Sequence, residues 1–184
     1  MAHFQRPHLK RSIINAVSLV EFTTEFQRSF KPTITSSYVE YEDIGYNDTR
    51  SLFFSVWYYN RKLHKRSATQ RVGIPLCLFL EFAKALRAYD CSHGKIGELA
   101  TLYEYNGSSK RVSVCQERDR FVLKRQIFKF GVWTDLSILA FQANQIQALK
   151  NFIKHFGINH KADILASIER GKSKQVKWES TPAR

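Results

Sequence analysis

The chain contains few of the residues that mark several classes of protein. Its 184 residues include only eight Gly, four Pro and three Cys. The scarcity of Gly and Pro excludes collagen-like and low-complexity chains. The cysteines at 77, 91 and 115 form neither an even disulfide set nor a CxxC pair, so we expect a reducing intracellular compartment. No apolar run approaches the roughly 18 residues of a transmembrane helix, so we expect no membrane partner.

Acidic residues are also scarce. Asp and Glu total 16 against 29 Lys and Arg, which gives a net charge of +13. So large a charge destabilises the compact state by self-repulsion, and it usually reflects an acidic partner. Nucleic acid is the commonest such partner. The hydrophobic fraction of 43% is sufficient for a buried core, and the length fits one domain or two fused halves.

The stretch SLFFSVWYYNRKLHKR, residues 51–66, joins five aromatic residues to four permanent cations. Strand alternation separates two faces, one with Leu52, Phe54, Val56 and Tyr58, the other with Phe53, Trp57 and Tyr59. A half-buried strand needs bulky residues on one face only. The second set is therefore either another buried layer, in a core or between subunits, or an exposed platform for base stacking. We favour the Trp57 face as the one that contacts a ligand.

Hydrophobic periodicity predicts two similar halves. In the first, strands at 36–44, 51–60 and 71–76 precede a helix at 77–90, with a loop at 60–70. In the second, strands at 98–106, 111–117, 120–130 and 133–141 precede a helix at 142–156. Residues 9–28 follow helical spacing, but their β-branched and aromatic content leaves a strand from Ser18 open. The six helix residues predicted to pack on the sheet are Phe79, Phe82, Leu86, Ile146, Leu149 and Ile153.

These elements predict an α+β fold in which two β-β-β(-β)-α halves form an antiparallel sheet packed on two helices. Residues 1–34 form a basic N-terminal arm with a possible helix or strand. Residues 35–157 form the domain, with halves at 35–90 and 97–157. Residues 158–184 form a basic tail, in which we expect a short helix at 161–171 and an extended end. The helix segments AKALRAY and IQALKNF superpose without a gap, which suggests a loose repeat.

This element order, with the charge and the two helix cores, resembles the Whirly-like single-stranded nucleic-acid binders over residues 35–157. That group includes the plant Whirly proteins and the kinetoplastid guide-RNA-binding proteins. The purine-rich-element-binding proteins and the positive-cofactor-four coactivators use a related unit. The Lys-Gly-Lys-Ala-Ala-Leu stretch of plant Whirly proteins is missing here. The resemblance therefore implies a Whirly-like fold and a single-stranded DNA or RNA ligand, and it assigns no individual residue.

Nucleic-acid contact is predicted for aromatic and basic residues on two strands and their adjoining turns. They are Phe53, Trp57, Tyr59, Arg61, Lys62, Lys65, Arg66, Lys110, Arg111, Lys124, Arg125, Lys129 and Trp133. Residues 120–130 interleave cations and aromatics on both registers, and we expect Lys110 and Arg111 to lie on the preceding turn. We expect these segments to line one basic groove. Affinity would come from phosphate contacts and stacking, so binding would be salt-sensitive and tolerant of sequence.

An enzyme finds little support in the sequence. The motifs GxxxxGK[ST], HExxH, GxSxG and GxGxxG are all absent. Cys91 and His93 lack the paired spacing of a zinc site. Glu40, Glu42 and Asp43 suggest a metal-dependent nuclease as a lesser alternative, but Asp43 falls on the opposite strand face from the two glutamates. We predict a non-catalytic protein with no metal and no cofactor.

A third class of function remains open, that of a viral or phage structural or assembly subunit that contacts the genome. Small, basic, aromatic β-rich chains with an N-terminal arm fit such a role. The second aromatic layer would then be a subunit interface. We expect a homo-oligomer. The sequence does not separate DNA from RNA, because recognition of the 2′-hydroxyl depends on a few placed polar groups.

Overall fold

The computed structural model describes residues 13–22, 33–41, 50–60, 62, 64–89, 97–103 and 110–179. Within this part of the chain, only the backbone is described at 14, 41, 59, 60, 66–69, 98–100, 103 and 172–179. The fold is α+β, with two four-stranded antiparallel sheets and three α-helices among these residues. The predicted α+β class is confirmed, whereas the antiparallel sheet and two helices that were expected are two separate sheets and three helices among these residues.

The first half is a four-stranded meander followed by a helix. Its elements are β1 (Ile13–Phe22), β2 (Thr33–Tyr41), β3 (Arg50–Asn60), β4 (Lys65–Pro75), a 3₁₀ turn (Leu76–Leu78) and α1 (Phe79–Ala88). The strands lie in the order β1-β2-β3-β4, which we name sheet one. The helix follows Pro75 because proline ends the strand ladder, while the apolar residues after it recur at helical spacing.

The second half repeats this plan and adds a helix. Its elements are β5 (Gly97–Tyr103), β6 (Lys110–Glu117), β7 (Arg120–Lys129), β8 (Val132–Phe141), α2 (Ala143–Asn159) and α3 (Lys161–Glu179). The strands lie in the order β5-β6-β7-β8, which we name sheet two. A capping box fixes the start of α2, where the backbone N–H of Gln142 donates to Oε1 of Gln145 at 2.9 Å.

The two halves share an irregularity as well as an element order. The β3–β4 ladder shifts register after Val56, and the β7–β8 ladder shifts after Arg125. Val56 lies four positions after Leu52, and Arg125 lies four positions after Phe121. Leu52 and Phe121 are the first buried residues on the inner faces of their strands. β-Bulges re-aim the side chains that follow them. The predicted repeat is therefore visible in topology and in the bulge position, although few residues are shared.

One hydrophobic core joins the inner faces of both sheets to the helices. The ring of Phe141 packs edge-on against Phe22 and Phe54, with centroids 5.4 and 5.5 Å apart. The helix residues predicted to pack on the sheet are all buried, which confirms that prediction: Phe79, Phe82, Leu86, Ile146, Leu149 and Ile153. The helices thus cover the inner faces and leave the opposite face of each sheet outside the core.

A polar cluster fastens α3 to sheet one. Arg50 donates from Nε to Oε1 of Glu40 at 3.1 Å and pairs through Nη1 with Asp163. The hydroxyl of Tyr38 donates to Oδ2 of Asp163 at 3.3 Å, and its ring stacks on His160 at 4.9 Å. Burial raises the pKa of Tyr38 to about 12; the positive charge of Arg50 opposes this shift, and the nearby carboxylates add to it. The cluster connects the C-terminal helix to β2 and β3.

Several sequence-based boundaries were wrong. Residues 13–22 form a strand, so the helix considered over 9–28 does not form there, and the strand begins five residues before Ser18. Most of the predicted loop at 60–70 belongs to β4, which pairs with the end of β3. Lys110 and Arg111 lie on β6 and not on a turn. The tail continues as α3 to Glu179, where an extended segment was expected.

Candidate nucleic-acid interface

The alternation predicted for β3 holds in the structure. Leu52, Phe54 and Val56 are buried on the inner face of sheet one. Phe53 and Trp57 lie on the opposite register and are half-buried. The Trp57 face is therefore the outer face of the sheet, away from the helices. Tyr58, on the inner register near the end of the strand, is 42% exposed because it lies at the margin of the core.

Phe53 lies flat across the sheet because its neighbour on β4 has no side chain. It pairs with Gly73 in the β3–β4 register. A Cβ at Gly73 would meet Cε1 of Phe53 at 2.5 Å, so the ring occupies the space directly above this glycine. The guanidinium of Arg71 lies over the same ring, 4.0 Å from its centroid. This stacked pair combines an aromatic surface with a cation on the outer face.

Trp57 is held by a hydrogen bond across the sheet. Its indole N–H donates to Oγ1 of Thr35 on β2 at 2.8 Å. Thr35 pairs with Ser55 in the β2–β3 register, so both hydroxyl residues belong to the face that carries Trp57. A tryptophan whose N–H is already satisfied can present its ring while its orientation stays fixed. The face is thus built from aromatic rings and small hydroxyl groups.

The cations predicted beside this face are only partly described. Lys62 and Lys65 are exposed at the β3–β4 connection. Arg61 lies outside the described residues. Tyr59 and Arg66 pair with each other along the β3–β4 ladder, and their side chains are not described. The connection therefore carries at least two exposed cations at the end of the strand that holds Trp57.

Sheet two presents a second stacked pair on its outer face. The guanidinium of Arg111 lies 4.3 Å from the ring centroid of Trp133, and Phe128 packs against the same indole at 5.3 Å. Arg111 also donates from Nε to Oε1 of Gln126 at 2.8 Å, and Gln126 donates from Nε2 to Asp135 at 2.7 Å. This row crosses β6, β7 and β8 and fixes the guanidinium over the ring.

Lys124 lies on the same outer register, but its charge is locally compensated. Its Nζ is 2.7 Å from Oε1 of Glu117. The hydrogen bond from Lys124 lowers the pKa of Glu117, and the same bond raises the pKa of Lys124. A phosphate would therefore have to compete with a carboxylate for this ammonium group.

The remaining predicted cations of sheet two belong to the other register. Arg125 pairs with Val112, and Lys110 pairs with Ile127. Arg125 and Lys110 therefore lie on the inner register of sheet two, the register that carries buried core residues such as Val112. Lys129 shares this register and is exposed. The cations expected to line one groove are thus divided between the two faces of sheet two. Arg111, Lys124 and Trp133 share the outer face.

The two sheets meet along β4 and β8. The backbone N–H of Ile138 donates to Oε1 of Gln70 at 2.5 Å. This bond gives an edge strand of sheet two a side-chain partner from an edge strand of sheet one. The two sheets are thus joined at these two edges.

Sequence reasoning missed Arg71, Gly73 and Thr35. Arg71 and Gly73 lie two residues apart in RVGIPL, so strand alternation predicts that they share a face. Their position opposite Phe53 depends on the register of β3 against β4, and a one-residue slip would have exchanged the faces. The contact of Thr35 with Trp57 joins residues 22 apart in sequence and has no local signal.

The structure offers no metal centre among the described residues, where His, Cys, Asp and Glu side chains do not gather in groups of three or more. Glu40 pairs with Arg50, and the Sγ of Cys115 lies 3.2 Å from Oγ of Ser113. Glu42, Asp43, Cys91 and His93 lie outside the described part of the chain. The nuclease and zinc hypotheses are therefore not tested by these residues.

Comparison with protein-family models and with curated proteins found no match for this chain. Within the described residues, the helices are too short or too polar to cross a bilayer.

Proposed function

We propose that this protein is a non-catalytic single-stranded nucleic-acid-binding protein with a Whirly-like architecture. It takes single-stranded DNA or RNA with little sequence preference. The observation that carries the proposal is the pair of Arg–aromatic stacks on the outer faces, Phe53 with Arg71 on sheet one and Trp133 with Arg111 on sheet two. They occur on a chain with a net charge of +13.

The chemistry of these stacks suits a single strand. Every base has a flat π-face, so an aromatic side chain stacks on any of them, and each stack contributes about 1–3 kcal/mol. An adjacent guanidinium offers planar hydrogen-bond donors that match phosphate oxygens. A duplex hides its base faces inside the helix, whereas a single strand presents both groups. The order of four strands followed by a helix occurs twice in the chain, and this repetition supports the Whirly-like part of the proposal.

The test compares Trp57→Ala with Tyr58→Ala by fluorescence anisotropy of a labelled oligo-dT across a salt series. Trp57 lies on the outer face, while Tyr58 is its neighbour on the inner register of the same strand. Trp57→Ala should lose about 1–3 kcal/mol of binding, and Tyr58→Ala should bind like the wild type. Both variants should melt close to the wild-type temperature, because neither side chain is fully buried. A wild-type protein without salt-dependent binding to oligo-dT would refute the proposed function.

A second candidate, a genome-contacting assembly subunit, is favoured by β1. This strand lies at an edge of sheet one and exposes Ile13, Val17 and Val20. Among the described strands β1 has a neighbour on one side only, and apolar side chains on such an edge favour pairing with another chain. Light scattering with Val17→Lys and Val20→Lys variants tests it. If these changes dissociate an oligomer and leave strand binding intact, β1 is a subunit interface. If the protein assembles but binds no single strand, the assembly function replaces the first proposal.

A further inference from the structure

The turn between β7 and β8 places an aromatic residue where the backbone disfavours one. Phe130 and Gly131 form the two-residue connection, with φ values of 52° and 81°. Two central residues with positive φ are typical of a type I′ hairpin turn, whose first position usually holds Asn, Asp or Gly. Glycine adopts this conformation freely. A bulky side chain does so only at a conformational cost, so Phe130 opposes the turn that it occupies.

Burial does not compensate this cost. The side chain of Phe130 is fully exposed. An exposed ring gains nothing from the hydrophobic effect, which depends on removing apolar surface from water. Asn at this position would suit the turn and the solvent better. A residue that conflicts with both local conformation and burial is expected at a functional site.

The neighbourhood of Phe130 indicates what it contacts. Phe128 and Val132 flank the turn and are also exposed. Phe128 packs on Trp133, so the tip continues into the stacked pair of sheet two. Residues 125–136 contain two cations, Arg125 and Lys129, against one acid, Asp135. The tip of the hairpin is thus apolar, and cations lie on the strand that leads to it. This combination suits a polyanion that carries flat apolar rings.

We infer that Phe130 is a wedge that inserts between adjacent bases of a bound single strand, while Lys129 contacts a flanking phosphate. The inference deepens the proposed function and rests on it. Apolar side chains are known to part the base steps of duplex DNA in this way. A two-residue turn is too narrow for a stable protein interface, which buries about 800 Å² on each partner. The narrow shape of this turn therefore fits a gap between two bases better than it fits an interface with a second copy of the chain.

The decisive variant is Phe130→Asn, because it separates folding from binding. Asn accepts the left-handed conformation, so the melting temperature should stay the same or rise. Affinity for oligo-dT should fall by about 5- to 150-fold if one stacked base is lost. Ile158→Asn makes the same kind of change on the exposed surface of α2, far along the chain from the hairpin, and should bind like the wild type. An oligonucleotide carrying 2-aminopurine should brighten on binding to the wild type and less on binding to Phe130→Asn, because a wedge unstacks the probe.

Each other outcome overturns the inference in a distinguishable way. Wild-type protein that binds no single strand removes the proposed function and the wedge with it. Wild-type and Phe130→Asn proteins with equal affinity and equal 2-aminopurine response remove the wedge and leave the proposed function standing. If Phe130→Asn dissociates an oligomer at unchanged strand affinity, the tip contacts a second copy. If it abolishes binding to phosphatidylserine vesicles instead, the tip contacts a lipid surface.

Discussion

Replacing Gly73 by Ala tests the outer face of sheet one without touching an aromatic or a cation. The added methyl group would lie 2.5 Å from Cε1 and 2.8 Å from Cζ of Phe53, closer than non-bonded carbons approach. The ring is half-buried, so it can tilt towards solvent more easily than the backbone can move. We expect the tilt to separate Phe53 from the guanidinium of Arg71 and to spoil the stacking surface.

The expected change in stability is small because two effects oppose each other. Gly within a strand is less stable than Ala by roughly 0.5–1 kcal/mol. The lost cation–π contact is worth about 0.5–1 kcal/mol at an exposed site. The melting temperature should therefore move by less than about 4 °C for a chain of this size. Binding loses one base stack, about 1–3 kcal/mol, which corresponds to about 5- to 150-fold in Kd.

The assay pairs a thermal melt with oligo-dT anisotropy, and the chain supplies a matched control. Gly97 also lies on a strand, and a Cβ there would meet nothing within 4 Å. Gly97→Ala should bind like the wild type and melt at the same temperature or slightly above it. Unchanged affinity in Gly73→Ala would refute the assignment of Phe53 as a stacking residue. A fall of 10 °C or more, far beyond the roughly 4 °C expected, would mean that the ring is part of the folded core.

Three further predictions concern the core, the charge and the pH dependence. Leu149→Ala should lower the free energy of unfolding by about 2–5 kcal/mol, because the leucine side chain is fully buried. Urea titrations measure this change, and a free energy of unfolding equal to that of the wild type would contradict the architecture. A second variant replaces four cations by Ala: Arg61, Lys62, Lys65 and Arg66. It should bind all single strands more weakly and with a flatter salt dependence. An unchanged slope would mean that the phosphate contacts lie elsewhere. Burial raises the pKa of Tyr38 to about 12, so the stability that its neutral phenol contributes is complete below about pH 10 and lost as pH rises through about 12. Tyr38→Phe should remove that alkaline loss in unfolding titrations, and an identical alkaline profile would assign it to another group.

The parts of the fold that were predictable are those with a strong period. The six helix positions of the core repeat at helical spacing, and all of them are buried. Local patterns failed where a neighbouring strand decides the conformation. Residues 65–70 read as a polar loop, yet they extend β4 because β3 runs to Asn60 and offers backbone partners. Residues 13–22 fit a helical pattern as well, but antiparallel pairing with β2 makes them a strand.

The candidate site was predictable to the same extent. Alternation alone places Phe53 and Trp57 together on one face, because successive side chains of a strand point to opposite sides. Which residues lie beside them depends on strand register, and register is a property of the assembled sheet. Thr35, Arg71 and Gly73 were therefore not found. The bulge after Arg125 shifts the pairing of β7 with β8 and likewise leaves no mark in a single strand's pattern.

The proposed function also explains why an arginine should cover one aromatic ring on the outer face of each sheet, Phe53 on sheet one and Trp133 on sheet two. In the free protein, the guanidinium of Arg71 or Arg111 shields the ring at a centroid distance of 4.0 or 4.3 Å. A base that takes the ring face replaces a contact worth about 0.5–1 kcal/mol with a stack worth about 1–3 kcal/mol. The displaced guanidinium remains tethered nearby, where it can pair with the phosphate of the same nucleotide. Such an exchange favours a ligand that brings a flat ring and an anion within one residue's reach, and a single strand brings both at every nucleotide.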